Sequence, residues 1–270
     1  MNFCKAVFGL GAVTCLSGSG AHCEQPTEQF KYHSPGVMTH PGDKGVTDRH
    51  AYLPLTSFPI RVGPDAGAGK SPLRAYANSQ VYRRGGDNEP ENDPKLFVYP
   101  WIDTLCETHH AGGPMPLCPS KKPPNLHQGV DIRPDAPRDN TYDIVAVFDG
   151  DVYNVVADPK KTTQLHVITK DRVWDCLYLH LNPTAEEGQS VKSGDVIGKV
   201  SHHMVGGTSI HLHIQCKTAD PNLKKSVNMP IYASLIAAYR RSWQMPDAID
   251  NGVLKYDPQR ELERPADTAN

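Results

Sequence analysis

The chain has 270 residues, with 28 lysines and arginines against 30 aspartates and glutamates, for a formal net charge of −2. That near balance implies no polyanionic partner, so nucleic acid is not expected. Hydrophobic residues make up 38% and there are 24 prolines and 22 glycines, a composition that suits short strands joined by turns in one or two domains; no apolar run reaches the length of a membrane-spanning helix.

The first 21 residues have the anatomy of a secretory signal peptide. Lys5 supplies the positive charge, residues 6–16 (AVFGLGAVTCL) the apolar run, and Ser17-Gly18-Ser19-Gly20-Ala21 the small-residue exit. The expected location is therefore periplasmic or secreted, where disulfides persist. Removal of the signal leaves cysteines 23, 106, 118, 176 and 216. Cys106 and Cys118 bracket a loop rich in Gly and Pro, and a local bridge is expected there. Parity argues against a bridge between Cys176 and Cys216: Cys176 shares the strand face of His180, whereas Cys216 is out of phase with His211 and His213.

Residues 22–95 form an irregular arm with short strands expected at 57–62 and 74–83 and a turn-rich acidic loop at 85–94. Within it, Ala68-Gly69-Lys70-Ser71 matches the end of a phosphate-binding loop, but the required earlier glycine is Pro64, which sets nucleotide binding aside. From residue 96 to 244 the pattern changes to a domain of alternating segments, at 96–101, 144–148, 151–157, 164–169, 173–180, 196–201 and 209–215. Asp149-Gly150 between two of them is a hairpin signal, and Gly194-Asp195 marks a tight turn into a strand. The expected fold is mainly β: an antiparallel sheet or sandwich core. Ile231, Leu235, Ala238 and Tyr239 recur at helical spacing, so a packing helix follows over 231–243. The tail, 245–270, is polar and expected to be loose.

Chemistry concentrates in histidines. In Ile210-His211-Leu212-His213-Ile214 the two imidazoles leave one face of a strand together. Upstream, His127-Gln128-Gly129-Val130-Asp131 places His and Asp four apart, on one face of a strand favoured by Val130 and Ile132. An imidazole pair from His127 and one of His211 or His213, with the Asp131 carboxylate, makes three ligands and leaves a fourth position for water, the pattern of catalytic zinc. Tyr178-Leu179-His180-Leu181 adds a third histidine on an alternating segment. Absence of His-Glu-x-x-His removes a glutamate base of the thermolysin type.

Taken in order, His-x-x-x-Asp, Tyr-x-His-Leu, Val-x-x-Gly-Asp and His-Leu-His resemble the M23 zinc metallopeptidases of the lysostaphin or LytM type. The likeness runs from about Tyr99 to Ile214. It implies a LytM-type β fold and one Zn2+ per chain held by His127, Asp131 and His213, with His180 and His211 as catalytic histidines. The implied activity is hydrolysis of peptide cross-links of bacterial peptidoglycan through a zinc-bound water assisted by those two histidines, by a monomer without a transmembrane segment. The competing implication is a catalytically silent module of the same fold that binds or regulates wall hydrolases; such modules lose site residues, and here all five stand. Departures from the family pattern are Ser209-Ile210 in place of Gly-Pro, Gln215 in place of an acidic residue, and Gln128 inside the first motif. A lipoyl-type carrier is set aside, because Lys199 lies within a predicted strand and not at a hairpin tip.

Overall fold

The computed structural model describes residues 48–53, 57–61, 76–77, 101, 103–106, 113, 115–118, 126–134, 138–203, 210–220 and 223–255. The expected signal segment, most of the arm, the 96–100 strand and the chain beyond 255 lie outside them. The described strands are β1 (Tyr76–Ala77), β2 (Val130–Pro134), β3 (Asp143–Val145), β4 (Gly150–Val156), β5 (Gln164–Ile168), β6 (Asp175–Leu179), β7 (Leu181–Pro183), β8 (Ser190–Val191), β9 (Val196–Val200), β10 (Leu212–Asp220) and β11 (Lys225–Asn228). Helix α1 (Tyr232–Ser242) follows, then β12 (Ile249–Asp250) and β13 (Val253–Leu254).

The large sheet runs β1–β2–β10–β6–β5–β4–β8, with β11 also paired to β10. All of its pairings are antiparallel. A second antiparallel sheet runs β3–β9–β7. The fold is thus mainly β, with one short helix among the described residues, as the alternating segments predict.

Alternation along the strands divides the large sheet into two faces. Leu212, Ile214 and Cys216 of β10, Cys176 and Tyr178 of β6, Leu165 and Val167 of β5 and Val152 of β4 are buried in one core. Helix α1 closes that core with Leu235, Ile236, Ala238 and Tyr239. Trp101 packs edge-on between Tyr232 and Tyr239, with ring centroids 5.8 and 5.4 Å away, and against Phe58 at 5.5 Å. The other face carries His213, Gln215 and Lys217, opposed in register by Leu179, Leu177 and Asp175.

Three expectations change. Asp149-Gly150 does not close a hairpin: β3 pairs with β9, while β4 pairs with β5 and β8, so the turn carries the chain between sheets. Glycine is needed there because a side chain at 150 would run into the Ile168 carbonyl and lie 2.9 Å from Val167 Cγ1. Cys176 and Cys216 are bonded, as is Cys106 to Cys118. Parity misleads because it counts through His180, which sits beyond the end of β6 with φ +64°; within the strands, Cys176 and Cys216 are directly opposed and both core-facing. Finally, residues 249–254 of the expected loose tail form a hairpin, turned by Asn251 (φ +48°) and Gly252 (φ +76°). Residues 49–51 strap onto it: Ala51 N donates to Gly252 O at 2.8 Å and Leu254 N to Arg49 O at 2.8 Å.

Candidate metal centre

The pairing of β2 with β10 sets Asp131 directly opposite His213. Cross-strand partners on one face lie within side-chain reach, so the register alone brings carboxylate and imidazole together. His127 enters from the segment just before β2. Gly129 lets that segment lie against β10, since a Cβ there would meet the Ile214 carbonyl and come within 2.8 Å of both Gln215 Cβ and His213 Nε2.

Three ligand atoms result. His127 Nε2 is 2.8 Å from His213 Nδ1 and 3.3 Å from Asp131 Oδ1, and His213 Nδ1 is 3.0 Å from the same oxygen. All three residues are buried. The tautomers follow from the outer nitrogens. His127 Nδ1 is 2.8 Å from the Thr104 carbonyl, which only accepts, so Nδ1 holds the proton. His213 Nε2 is 3.0 Å from Gln215 Oε1, which likewise accepts. Both inward nitrogens therefore present lone pairs to each other and to a carboxylate. That donor set lacks a proton at its centre and fits a cation. Zinc bonds of 2.0–2.2 Å in tetrahedral array need ligand atoms about 3.3–3.5 Å apart, and the observed 2.8–3.3 Å triangle is close to that.

Burial works to raise the Asp131 carboxyl, but the charge that His127 and His211 carry when protonated outweighs it and holds the carboxyl well below the usual range, so Asp131 is a carboxylate in the triangle. Thr104 contributes twice, since its Oγ1 also accepts from Asp131 N at 3.0 Å. Its segment is fastened by the Cys106–Cys118 bridge and by Cys106 N donating to His127 O at 2.9 Å.

His180 and His211 stand beside the triangle. His211 Nε2 is 3.7 Å from Asp131 Oδ1, and the His180 ring lies 4.6 Å from the His211 ring and 6.4 Å from that of His213. Strand alternation would send His180 to the core face; its left-handed backbone brings it to the site instead. That backbone is fixed by His180 N donating to Thr163 O and Ser201 N donating to His180 O, each at 2.9 Å. Burial, with the neighbouring His211 and His213, pushes His180 down to about 2, so its imidazole is neutral. All five predicted residues thus come together. Thr104 and Gln215, which orient the outer nitrogens, are the additions; Gln215 carried a signal as a polar residue two beyond His213, while Thr104 carried none. His202, two residues beyond β9, pairs with Asp139 at 3.0 Å.

Among curated proteins no match was found. Solved structures with similar chains include lysostaphin from Staphylococcus simulans, an antimicrobial peptidase (24% identity over 49% of this chain and 51% of that one, TM-score 0.35). Others are a zinc-containing peptidase from Vibrio cholerae (24% identity, 41% and 31% covered, TM-score 0.32) and a mutant catalytic domain of the prophage-encoded M23 protein EnpA from Enterococcus faecalis (23% identity, 44% and 85% covered, TM-score 0.32). The chain spans about half the length of the lysostaphin it matches. Residues 125–228, which hold all five site residues, match the model of peptidase family M23 and form a domain of that family.

Proposed function

We propose that the protein is a zinc-dependent endopeptidase that hydrolyses peptide cross-links of bacterial peptidoglycan. The observation that carries this is the pair of inward lone pairs, His127 Nε2 and His213 Nδ1, meeting the Asp131 carboxylate. His127, Asp131 and His213 would hold the zinc, which would supply a Lewis acid for the scissile carbonyl and a lowered pKa for water near neutral pH. The chain's own part is orientation and proton handling. Thr104 and Gln215 fix which nitrogens face inward. His180 and His211 divide two jobs, one accepting the proton lost by the attacking water and the other donating a hydrogen bond to the scissile carbonyl oxygen. The family supports the peptide substrate; the peptidoglycan assignment rests on the motif resemblance. Export to the periplasm or medium is supported by the two disulfides.

Digestion of purified peptidoglycan with and without a chelator, followed by mass analysis of the fragments, tests the proposal. Peptide-bond release that stops with chelator is expected; absent or chelator-insensitive release favours the silent binding module. His211→Ala keeps the metal and loses activity by roughly 10²–10⁴, whereas His213→Ala and Asp131→Ala lose the metal. Full metal occupancy in both ligand variants contradicts the ligand set.

A further inference from the structure

A second polar cluster lies on the same face of the large sheet as His213. Asp175 of β6 is buried, and both its oxygens are engaged. His166 Nδ1 of β5 donates to Oδ1 at 2.9 Å; Lys217 Nζ of β10 reaches Oδ2 at 2.9 Å, and the Tyr153 hydroxyl of β4 donates to Oδ2. Four neighbouring strands thus converge on one carboxylate.

As a cross-strand ladder alone, the cluster would turn its polar atoms inward. It does not. The Lys217 side chain stays 42% exposed, and His166 Nε2 has no partner among the described residues. The charge of exposed Arg172 acts on the Tyr153 phenol. Lys217 is thus an exposed cation beside a carboxylate whose two oxygens are both engaged, and its solvent-facing side is complementary to an added anion. Asp175 also holds the Lys217 ammonium in one place, which removes the mobility that weakens ordinary surface lysines.

Position defines the ligand further. His213, Gln215 and Lys217 alternate along β10, so Lys217 lies about 13 Å from His213 at 3.3 Å per residue. An extended peptide has the same rise, which makes the distance about four residues. The Lys217–Asp175 and Asp175–Ile168 rungs are the last that β6 forms with its two neighbours. On β6 and β5 the floor ends there, while β10 runs on to Asp220 beside β11, so a peptide laid over β6 reaches its last rung at Lys217 and presents its end to the ammonium.

We propose that Lys217, set in place by Asp175 with His166 and Tyr153, is a subsite for the terminal carboxylate of an extended peptide, about four residues from the bond at the metal centre. The proposal rests on the peptidase reading and deepens it. Its test is a binding titration of acetyl-tetra-alanine as free acid and as carboxamide against the full chain carrying His211→Ala, which spares the probes from cleavage. The acid is expected to bind about tenfold tighter than the amide. Lys217→Gln brings that ratio to about one and leaves the amide's affinity unchanged, while Lys217→Arg preserves the ratio. Equal affinities in the parent, or equal weakening of both probes by Lys217→Gln, overturn the subsite and leave a structural ladder. Discrimination in the His211→Ala chain, together with no chelator-sensitive fragment release by the chain that keeps His211, would instead leave the subsite standing and tell against the peptidase reading alone.

Discussion

Replacing Gly129 with alanine probes how the metal centre is held. The added methyl would lie 2.8 Å from both His213 Nε2 and Gln215 Cβ and would press on the Ile214 carbonyl. Ordinary carbon contacts are about 3.5–4.0 Å, so the 127–131 segment or β10 must give by roughly 0.7–1.2 Å. Overpacking of that size costs about 1–3 kcal/mol, or about 2–4 °C of melting temperature for each kcal/mol in a chain of this length. The larger effect falls on the site. Gly129 stands between two of the three ligands and faces the third, and ligand sets tolerate displacements of about 0.5 Å. Zinc affinity, measured by competition with a chromogenic chelator, should fall about 10–100-fold, alongside the thermal shift of the metal-free protein. Unchanged affinity and a melting temperature within about 1 °C of the parent would refute the claim that close approach at Gly129 builds the centre.

Three further expectations concern the frame. Burial tends to raise the Asp175 carboxyl, but the bonds from His166, Tyr153 and Lys217 win and lower it from 3.8 to about 2; a lowered folded pKa adds stability above the unfolded value, so the advantage over Asp175→Asn in urea denaturation should shrink as pH falls from about 4 to about 2, and a difference constant over that window contradicts it. Cys216→Ala opens a bridge spanning 40 residues, which should remove about 4 kcal/mol of unfolding free energy; a loss below about 1 kcal/mol would show that the bridge adds little. Gly252→Ala meets nothing within 4 Å at φ +76°, so its cost of about 1 kcal/mol is purely conformational, and Gly252→Asn should recover most of it; equal destabilisation by both in thermal melts would count against this.

The sheet was legible because its strands alternate cleanly: 164–169 and 196–201 differ from β5 and β9 by one residue. The clustering of His127, Asp131, His180, His211 and His213 was legible because motif order and spacing carry over from sequence to space: His213 and Asp131 meet through strand register. What parity could not foresee was a break in alternation. One left-handed residue at position 180 reverses which face the chain presents and undoes the count that separated Cys176 from Cys216. Asn251-Gly252 is a strong two-residue turn signal that a polar surrounding tail obscured. The sheet switch after Phe148 was hidden for another reason: Asp-Gly turns the chain equally well into a paired strand or away from one. Thr104 lies 27 residues from Asp131 and acts partly through its carbonyl, a contribution no side-chain pattern reports.

The backbone at His180 also governs how its substitution is to be interpreted. At φ +64°, alanine pays about 1–2 kcal/mol that asparagine largely escapes. An inactive His180→Ala protein would then have lost an imidazole and a backbone conformation together, with Leu181 and the Ser201 contact displaced as a consequence. Asparagine at this position keeps the turn and removes only the ring. It is the substitution that separates chemistry from geometry, and the standard alanine scan would conflate them.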